Sequence, residues 1–321
     1  MHITRRQLVT AAAAGAAAAA LPVRAQNRPV TIVVGAAPGG TTDISARMLA
    51  EPLARVLGTS VVVDNRSGAN GNIAGQMVAR AAGDGHTLLV QYSGYQSITP
   101  LIQPVQGFDP GRDLKPIGHL IDAPQVMVVR ADFPAKDFKE FLAYVRANPG
   151  KVNYASSGNG ALQHVTTELL KDMTKTFMTH IPYRGTGPAM TDLLAGTVDL
   201  TITTPPPLLP HIRAGKLRAL MVTGKARLPS LPDVPTATEM GVPLEASSWF
   251  AVYGPSAMQA DVQNRLSAAV RQVVESAEFR RRAEEQGAKA VAMTPAELAQ
   301  LGKDERAKWE RIVRVAQIKA D

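Results

Sequence analysis

Beyond residue 29 the chain falls into short β-branched runs that alternate with segments whose apolar residues recur every three or four positions. Val30-Thr31-Ile32-Val33-Val34 breaks at Gly35-Ala36-Ala37-Pro38-Gly39-Gly40, which predicts a buried strand ending in a glycine loop. Ile44, Met48, Leu49, Leu53, Val56 and Leu57 then share one helical face, with Thr42 or Asp43 as N-cap and Gly58 as the stop. Pro52 should kink that helix or expose one of its turns. Val61-Val62-Val63 predicts a second strand, followed by a loop over 64–71, an alanine-rich helix to Ala82, a Gly83-Asp84-Gly85 turn and a strand over 87–90.

The alternation resumes after an irregular, proline-punctuated stretch over 100–116. Strands are predicted at 125–129, 152–155, 179–181, 198–203 and 217–222, with helices at 137–147, 162–173 and 188–194 between them. One more strand is predicted at 249–253, and the remainder reads as helical, with Thr294-Pro295-Ala296-Glu297 forming a capping box that opens the last helix. Strands alternating with helices argue for α/β architecture with mostly parallel sheets covered on both faces. A crossing near residue 124 divides the chain into two lobes, 26–124 with 227–321 forming lobe 1 and 125–226 forming lobe 2.

The first residues add an address. Arg5 and Arg6 precede an apolar, alanine-dominated stretch over 8–21 and then Pro22-Val23-Arg24-Ala25, which predicts a cleavable secretory signal over 1–25 and an exported, periplasmic protein. Thr4-Arg5-Arg6-Gln7-Leu8 resembles a twin-arginine export signal, the alternative being an ordinary basic secretory segment. The chain has no cysteine, which suits an oxidising compartment and removes thiol nucleophiles, thiolate metal sites and disulfides. Its formal charge is +8, and losing Arg5, Arg6 and Arg24 leaves +5. The one basic cluster, Arg280-Arg281-Arg282, is interleaved with Glu278, Glu284 and Glu285 and reads as a solvated helix face, so no nucleic-acid partner is expected.

Ligands of open α/β sheets sit beyond the carboxyl ends of the strands. Three predicted loops there share a composition: Pro38-Gly39-Gly40-Thr41-Thr42-Asp43, Ser156-Ser157-Gly158-Asn159-Gly160 and Tyr183-Arg184-Gly185-Thr186-Gly187. Glycine admits close backbone approach, hydroxyls supply neutral donors, and each following helix adds unpaired N–H groups. A helix end contributes about 0.3–1 kcal/mol toward an anion and a hydrogen bond to a charged group about 1.5–3, so two or three such loops suffice for micromolar binding of a carboxylate. Read singly, each loop is also an ordinary tight turn. His164, two positions into its helix, either reaches the ligand or packs and caps. The phosphate-loop pattern fails because Thr41 stands where lysine is required, and neither a metal-ligand histidine spacing nor a Gly-x-Ser-x-Gly elbow occurs, so neither cofactor nor catalysis is expected; the alternative is a secreted hydrolase using Asp43 or His164, for which the sequence shows no nucleophile and base pair.

Taken in order, several segments carry a family resemblance: Pro38-Gly39-Gly40 with Asp43, the run over 61–71, Asp84-Gly85-His86-Thr87-Leu88-Leu89, Asn153-Tyr154-Ala155-Ser156-Ser157-Gly158, His180-Ile181-Pro182-Tyr183-Arg184-Gly185, Asp192-Leu193-Leu194-Ala195-Gly196 and Leu231-Pro232-Asp233-Val234-Pro235-Thr236. The mature chain resembles the substrate-binding proteins of tripartite tricarboxylate transporters, the Bug family. The resemblance implies a type II periplasmic-binding-protein fold, with two lobes closing on a small carboxylate, and a monomer that serves a membrane permease or sensor. By position it implies ligand loops at Pro38 to Asp43, at Ser93, Gly94 and Tyr95, at Ser156 to Gly160, at Arg184, Gly185 and Thr186, and at Thr203 and Thr204. Two departures stand out: Ala36 where the family often has an aromatic residue, and Thr203 where it often has aspartate. The lost acid disfavours an ammonium-bearing guest, and the room beside Ala36, with Tyr92 and Tyr95 nearby, favours a bulkier, aromatic carboxylate.

Overall fold

A computed structural model describes residues 28–315. The predicted leader over 1–25 lies outside the described residues. None of the described helices is long and apolar enough to cross a membrane.

The lobes are built alike around two mixed sheets. In the first, β1 (Val30–Val34) pairs in parallel with β2 (Val61–Asn65) and β3 (Thr87–Tyr92). In the second, β6 (Asn153–Ser156) pairs in parallel with β7 (Thr179–Pro182) and β8 (Leu200–Thr203). Each parallel trio then meets antiparallel strands. β10 (Ser247–Pro255) lies between β3 and β4 (Leu114–Pro124), with β11 (Lys289–Ala290) at the edge, while β5 (Val126–Arg130) lies between β8 and β9 (Leu217–Val222). The expected mostly parallel sheets are therefore mixed, because the chain crosses between lobes twice and returns antiparallel each time.

The longest strand, β4, was hidden from pattern reading by Pro116, Gly118 and Pro124, which interrupt its alternation. Pairing with β10 along its whole length supplies what the local pattern lacks. The two crossings are tied where they pass: the Thr223 amide donates to the Gln125 carbonyl at 2.8 Å, and the Thr223 hydroxyl donates to the Ala246 carbonyl at 2.6 Å. The expected return to lobe 1 at residue 227 falls too early. Leu228 and Leu231 pack with Val126 and Val128, and Ala237, Val242 and Leu244 pack with Met127 and Leu220, so this segment covers the second sheet.

Helices α1 (Thr41–Leu57) and α2 (Asn72–Ala79) cover the first sheet; α3 (Phe138–Ala147), α4 (Leu162–Thr174) and α5 (Thr186–Leu194) serve the second. Helices α6 (Ala260–Glu275) and α7 (Ala277–Glu285) return to the first core through Leu266, Val270, Val274 and Phe279. The last helix, α8 (Pro295–Val315), opens on the predicted capping box, in which the Glu297 amide donates to the Thr294 hydroxyl at 3.2 Å. Its Trp309 is buried with Ile98, Leu162 and Val165, so this helix also touches the second lobe. Helix α1 runs through Pro52 and starts earlier than predicted, with Gly40 as N-cap.

Candidate functional site

Because both parallel trios point their carboxyl ends at the seam between lobes, six strand-end loops converge there. They enclose a cavity of about 270 Å³, just below the roughly 300–1,000 Å³ found for ligand sites. Lobe 1 contributes Gly35, Ala36, Gly40, Thr41 and Thr42 after β1, the run Gly68-Ala69-Asn70-Gly71 after β2, and Tyr92 at the end of β3. Lobe 2 contributes Ser157, Gly158 and Asn159 after β6, Pro182, Tyr183, Arg184, Gly185 and Thr186 after β7, and Thr203 and Thr204 after β8. Gln103, Leu162 and Gln163 complete the wall, and Gln125, Ser248 and Phe250 come from the crossings.

Most of the loop residues expected at the site thus meet: Gly40, Thr41, Thr42, Ser157, Gly158, Asn159, Arg184, Gly185, Thr186, Thr203 and Thr204. The others do not line the cavity. Pro38 and Gly39 sit on an outer groove with Tyr183 and Gly187. Asp43 turns away from the cavity, accepting from the Gly39 amide at 3.0 Å, from Asn65 at 3.0 Å and from the Arg47 guanidinium. Burial would raise its carboxyl, but Arg47, the Gly39 amide and Asn65 outweigh that and hold it below the ordinary value.

Ser93, Gly94 and Tyr95 are buried, because a short helix begins at Ser93 and rotates them inward. Tyr95 is a core residue packed with Val33, Ala74 and Trp249, and Tyr92 takes the cavity position instead. Burial pushes the Tyr92 phenol far above its ordinary value, with a hydrogen bond to Thr99 opposing. Ser156 and Gly160 stand behind the loop they flank. His164 caps it: its Nδ1 accepts from the Gly160 amide at 3.1 Å, and its ring stacks on His180 at 4.2 Å. The Ser156 hydroxyl contacts His180 Nε2 at 2.6 Å, yet Ser156 is 1% exposed and lines none of the cavity.

Helices α1, α4 and α5 begin at the cavity, and none has a side-chain hydrogen bond at its cap residue, Gly40, Ala161 or Gly185. Their first N–H groups are thus free of capping side chains and bring partial positive charge to the wall. Arg184 is the one charged residue among those lining the cavity, and it is exposed at the rim. No carboxylate lines it. Beside Arg184, the Tyr183 hydroxyl donates to Asp192 at 2.6 Å; burial and that carboxylate push the phenol up to about 12.

Gln163 was missed by sequence reasoning, although its place on the first turn of α4 was a usable signal. Its Oε1 accepts from the Ser157 amide at 3.2 Å and from the Ser157 hydroxyl, while its Nε2 donates to Thr186 at 3.1 Å and Thr203 at 2.8 Å. One neutral side chain therefore ties together all three strand-end loops of lobe 2. Asn70 was missed too, though it follows β2 as the other site loops follow their strands. Gln125, Ser248 and Phe250 had no local signal, since only the crossing of the strands brings them to the cavity floor.

Residues 45–318 match the family described as tripartite tricarboxylate transporter family receptor. The chain is 35% identical over 319 residues to the protein BugT of Bordetella pertussis, covering 98% of each. Among solved structures, Rpa4515 of Rhodopseudomonas palustris with adipate is 35% identical with a TM-score of 0.88, covering 91% of this chain and 98% of that one. MatC of the same organism, with bound malate, is 34% identical with a TM-score of 0.85, covering 91% and 100%. The chain belongs to the tripartite tricarboxylate transporter receptor family and is a periplasmic solute-binding protein of the Bug type.

Proposed function

We propose that the protein captures a small organic carboxylate between its lobes and hands it, chemically unchanged, to a membrane permease of the tripartite tricarboxylate type. The observation that carries this reading is the composition of the wall: one cation, three helix starts without side-chain caps, and no acid. Such a wall compensates a buried anion and leaves an ammonium group without a partner. The relatives bound to adipate and malate support the same class of guest. Tyr92, Phe250 and Ala36 give the cavity an apolar side, which supports a guest with a hydrocarbon or aromatic body. Capture without chemistry is supported by Ser156 and His180, whose contact lies behind the loop and out of reach of a guest.

The test is native mass spectrometry of protein purified without refolding, followed by a thermal-shift screen. The expected result is a co-purifying acid recovered unmodified, with stabilisation by dicarboxylates such as adipate or by aromatic carboxylates. Stabilisation by amino acids alone overturns the reading.

A further inference from the structure

Around the cavity, the lobes hold each other directly. The Thr41 and Thr204 hydroxyls, one from each lobe, are 2.6 Å apart and buried. Asn70 Nδ2 reaches across to donate to the Asn159 carbonyl at 2.7 Å, while also donating to Thr99 within its own lobe at 3.2 Å. At a third point the contact is backbone on backbone. A Cβ at Gly187 would lie 2.0 Å from the Pro38 carbonyl oxygen, and one at Gly185 would lie 2.9 Å from the Ala37 amide nitrogen. Each of these contacts joins protein to protein across the seam.

The turn that carries Asn70 is itself unusual. Gly68, Ala69, Asn70 and Gly71 all have positive φ, at 133°, 45°, 56° and 95°. Two successive non-glycine residues in the left-handed region are costly and persist only where the surroundings hold them. Here they aim one amide across the seam, which gives a use to the Gly68-Ala69-Asn70-Gly71 part of the sequence pattern.

We propose that these contacts form a guest-independent clasp, with Asn70 as latch and Gly187 as the position that must lack a side chain, so that the empty protein visits the closed state and receives its acid in a cavity already formed. The proposal deepens the capture reading and rests on it. A ligand can only shift an equilibrium by its differential affinity for the two states. A clasp that closes the empty protein part of the time lowers the shift that the ligand must supply. Gly187 lines no part of the cavity and sits on the first turn of α5 without positive φ, so alanine there suits the open form and penalises the closed one.

A cross-link reads closure without knowledge of the guest. The chain has no cysteine, so Thr41→Cys with Thr204→Cys gives a single disulfide that can form when the lobes meet. Protein stripped by exhaustive dialysis, and shown empty by native mass spectrometry, is exposed to oxidised glutathione. Cross-linking of the empty pair is expected, slowed tenfold or more by Gly187→Ala and several-fold by Asn70→Gly, which keeps the backbone geometry and removes the latch. Gly302→Ala, in open space on α8, should leave the rate unchanged, and Gly187→Ala should melt no lower than its parent. Failure of the empty pair to cross-link, or parental rates in both clasp variants, overturns the clasp. Because no acid enters the assay, a wrong choice of guest leaves its outcome untouched.

Discussion

Asp43 and Gln163 do the same work in opposite lobes with opposite chemistry. Each stands on the first turn of a helix behind a strand-end loop and gathers that loop by hydrogen bonds. Asp43 is charged and faces away from the cavity, holding the Gly39 amide, Asn65 and Arg47. Gln163 is neutral and forms part of the cavity wall, holding Ser157, Thr186 and Thr203. A carboxylate is the stronger pin for backbone amides, but beside an anionic guest it repels. Under the proposed capture of an anion, the contrast is a sorting of structural groups, with the acid bracing the wall from behind it and the neutral amide within it.

Gln163→Glu is the substitution that breaks this sorting. Ser157 can still donate to one oxygen, and the Thr186 and Thr203 hydroxyls can turn to donate to the other, so the melting temperature of the empty protein should change little. The guest, however, now meets a like charge. At an effective dielectric of about 20 and a separation of about 5 Å the repulsion is about 3 kcal/mol, roughly a hundredfold in affinity. Isothermal titration with the co-purified acid measures it. Undiminished affinity would show that no anion binds beside Gln163.

The second contrast lies in the backbone. Both walls use left-handed glycines, Gly158 and Gly185 in lobe 2 and Gly68 and Gly71 in lobe 1, but only the lobe 1 wall places two non-glycine residues, Ala69 and Asn70, in that region between them. Gly71 has φ +95°, and a Cβ there would collide with the Gln91 amide and approach Tyr95 at 3.2 Å. Gly71→Ala should therefore cost about 2 kcal/mol of folding stability, through strain and overpacking together, before any guest is added. Denaturant melts of the empty protein read this directly. A normal midpoint would mean that the turn adapts freely.

Arg184 sharpens the comparison from the other side, since it carries charge at the rim and braces nothing. Arg184→Gln should weaken the acid about tenfold, near 1.4 kcal/mol, because an exposed cation is partly screened. The loss should shrink at high salt, and the melting curve of the empty protein should not move. A salt-independent loss would point to packing of the arginine stem in place of its charge.

What could be read from the sequence was whatever is local. Pro38-Gly39-Gly40, Ser157-Gly158-Asn159 and Arg184-Gly185-Thr186 announce strand-to-helix turns by composition, and strand-end geometry does the rest. Tyr92 and Tyr95 could not be told apart, because which one meets the cavity depends on the short helix that begins between them. Gln125 and Ser248 reach the floor only through two crossings separated by more than a hundred residues. The mixed sheets had the same cause: strand direction after a crossing is set by the partner lobe and leaves no mark on hydrophobic periodicity.

Asp43→Asn makes the smallest change and tests whether the brace behind the lobe 1 wall acts by charge. Asparagine keeps an acceptor for the Gly39 amide but loses the ion pair with Arg47, so the expected cost at neutral pH is about 1 kcal/mol. Its carboxyl is held below the ordinary value in the fold, so the unfolded chain takes up this proton at higher pH than the native one does. The contribution is then whole above about pH 4, where the unfolded group ionises, and is lost as the pH falls through the folded value. The stability gap between parent and Asp43→Asn should stay level from neutral pH to about pH 5 and close in more acid solution. If the gap persists undiminished at about pH 2, Asp43 braces the loop by shape, and the division of labour between a charged pin behind one wall and a neutral pin within the other loses its electrostatic basis.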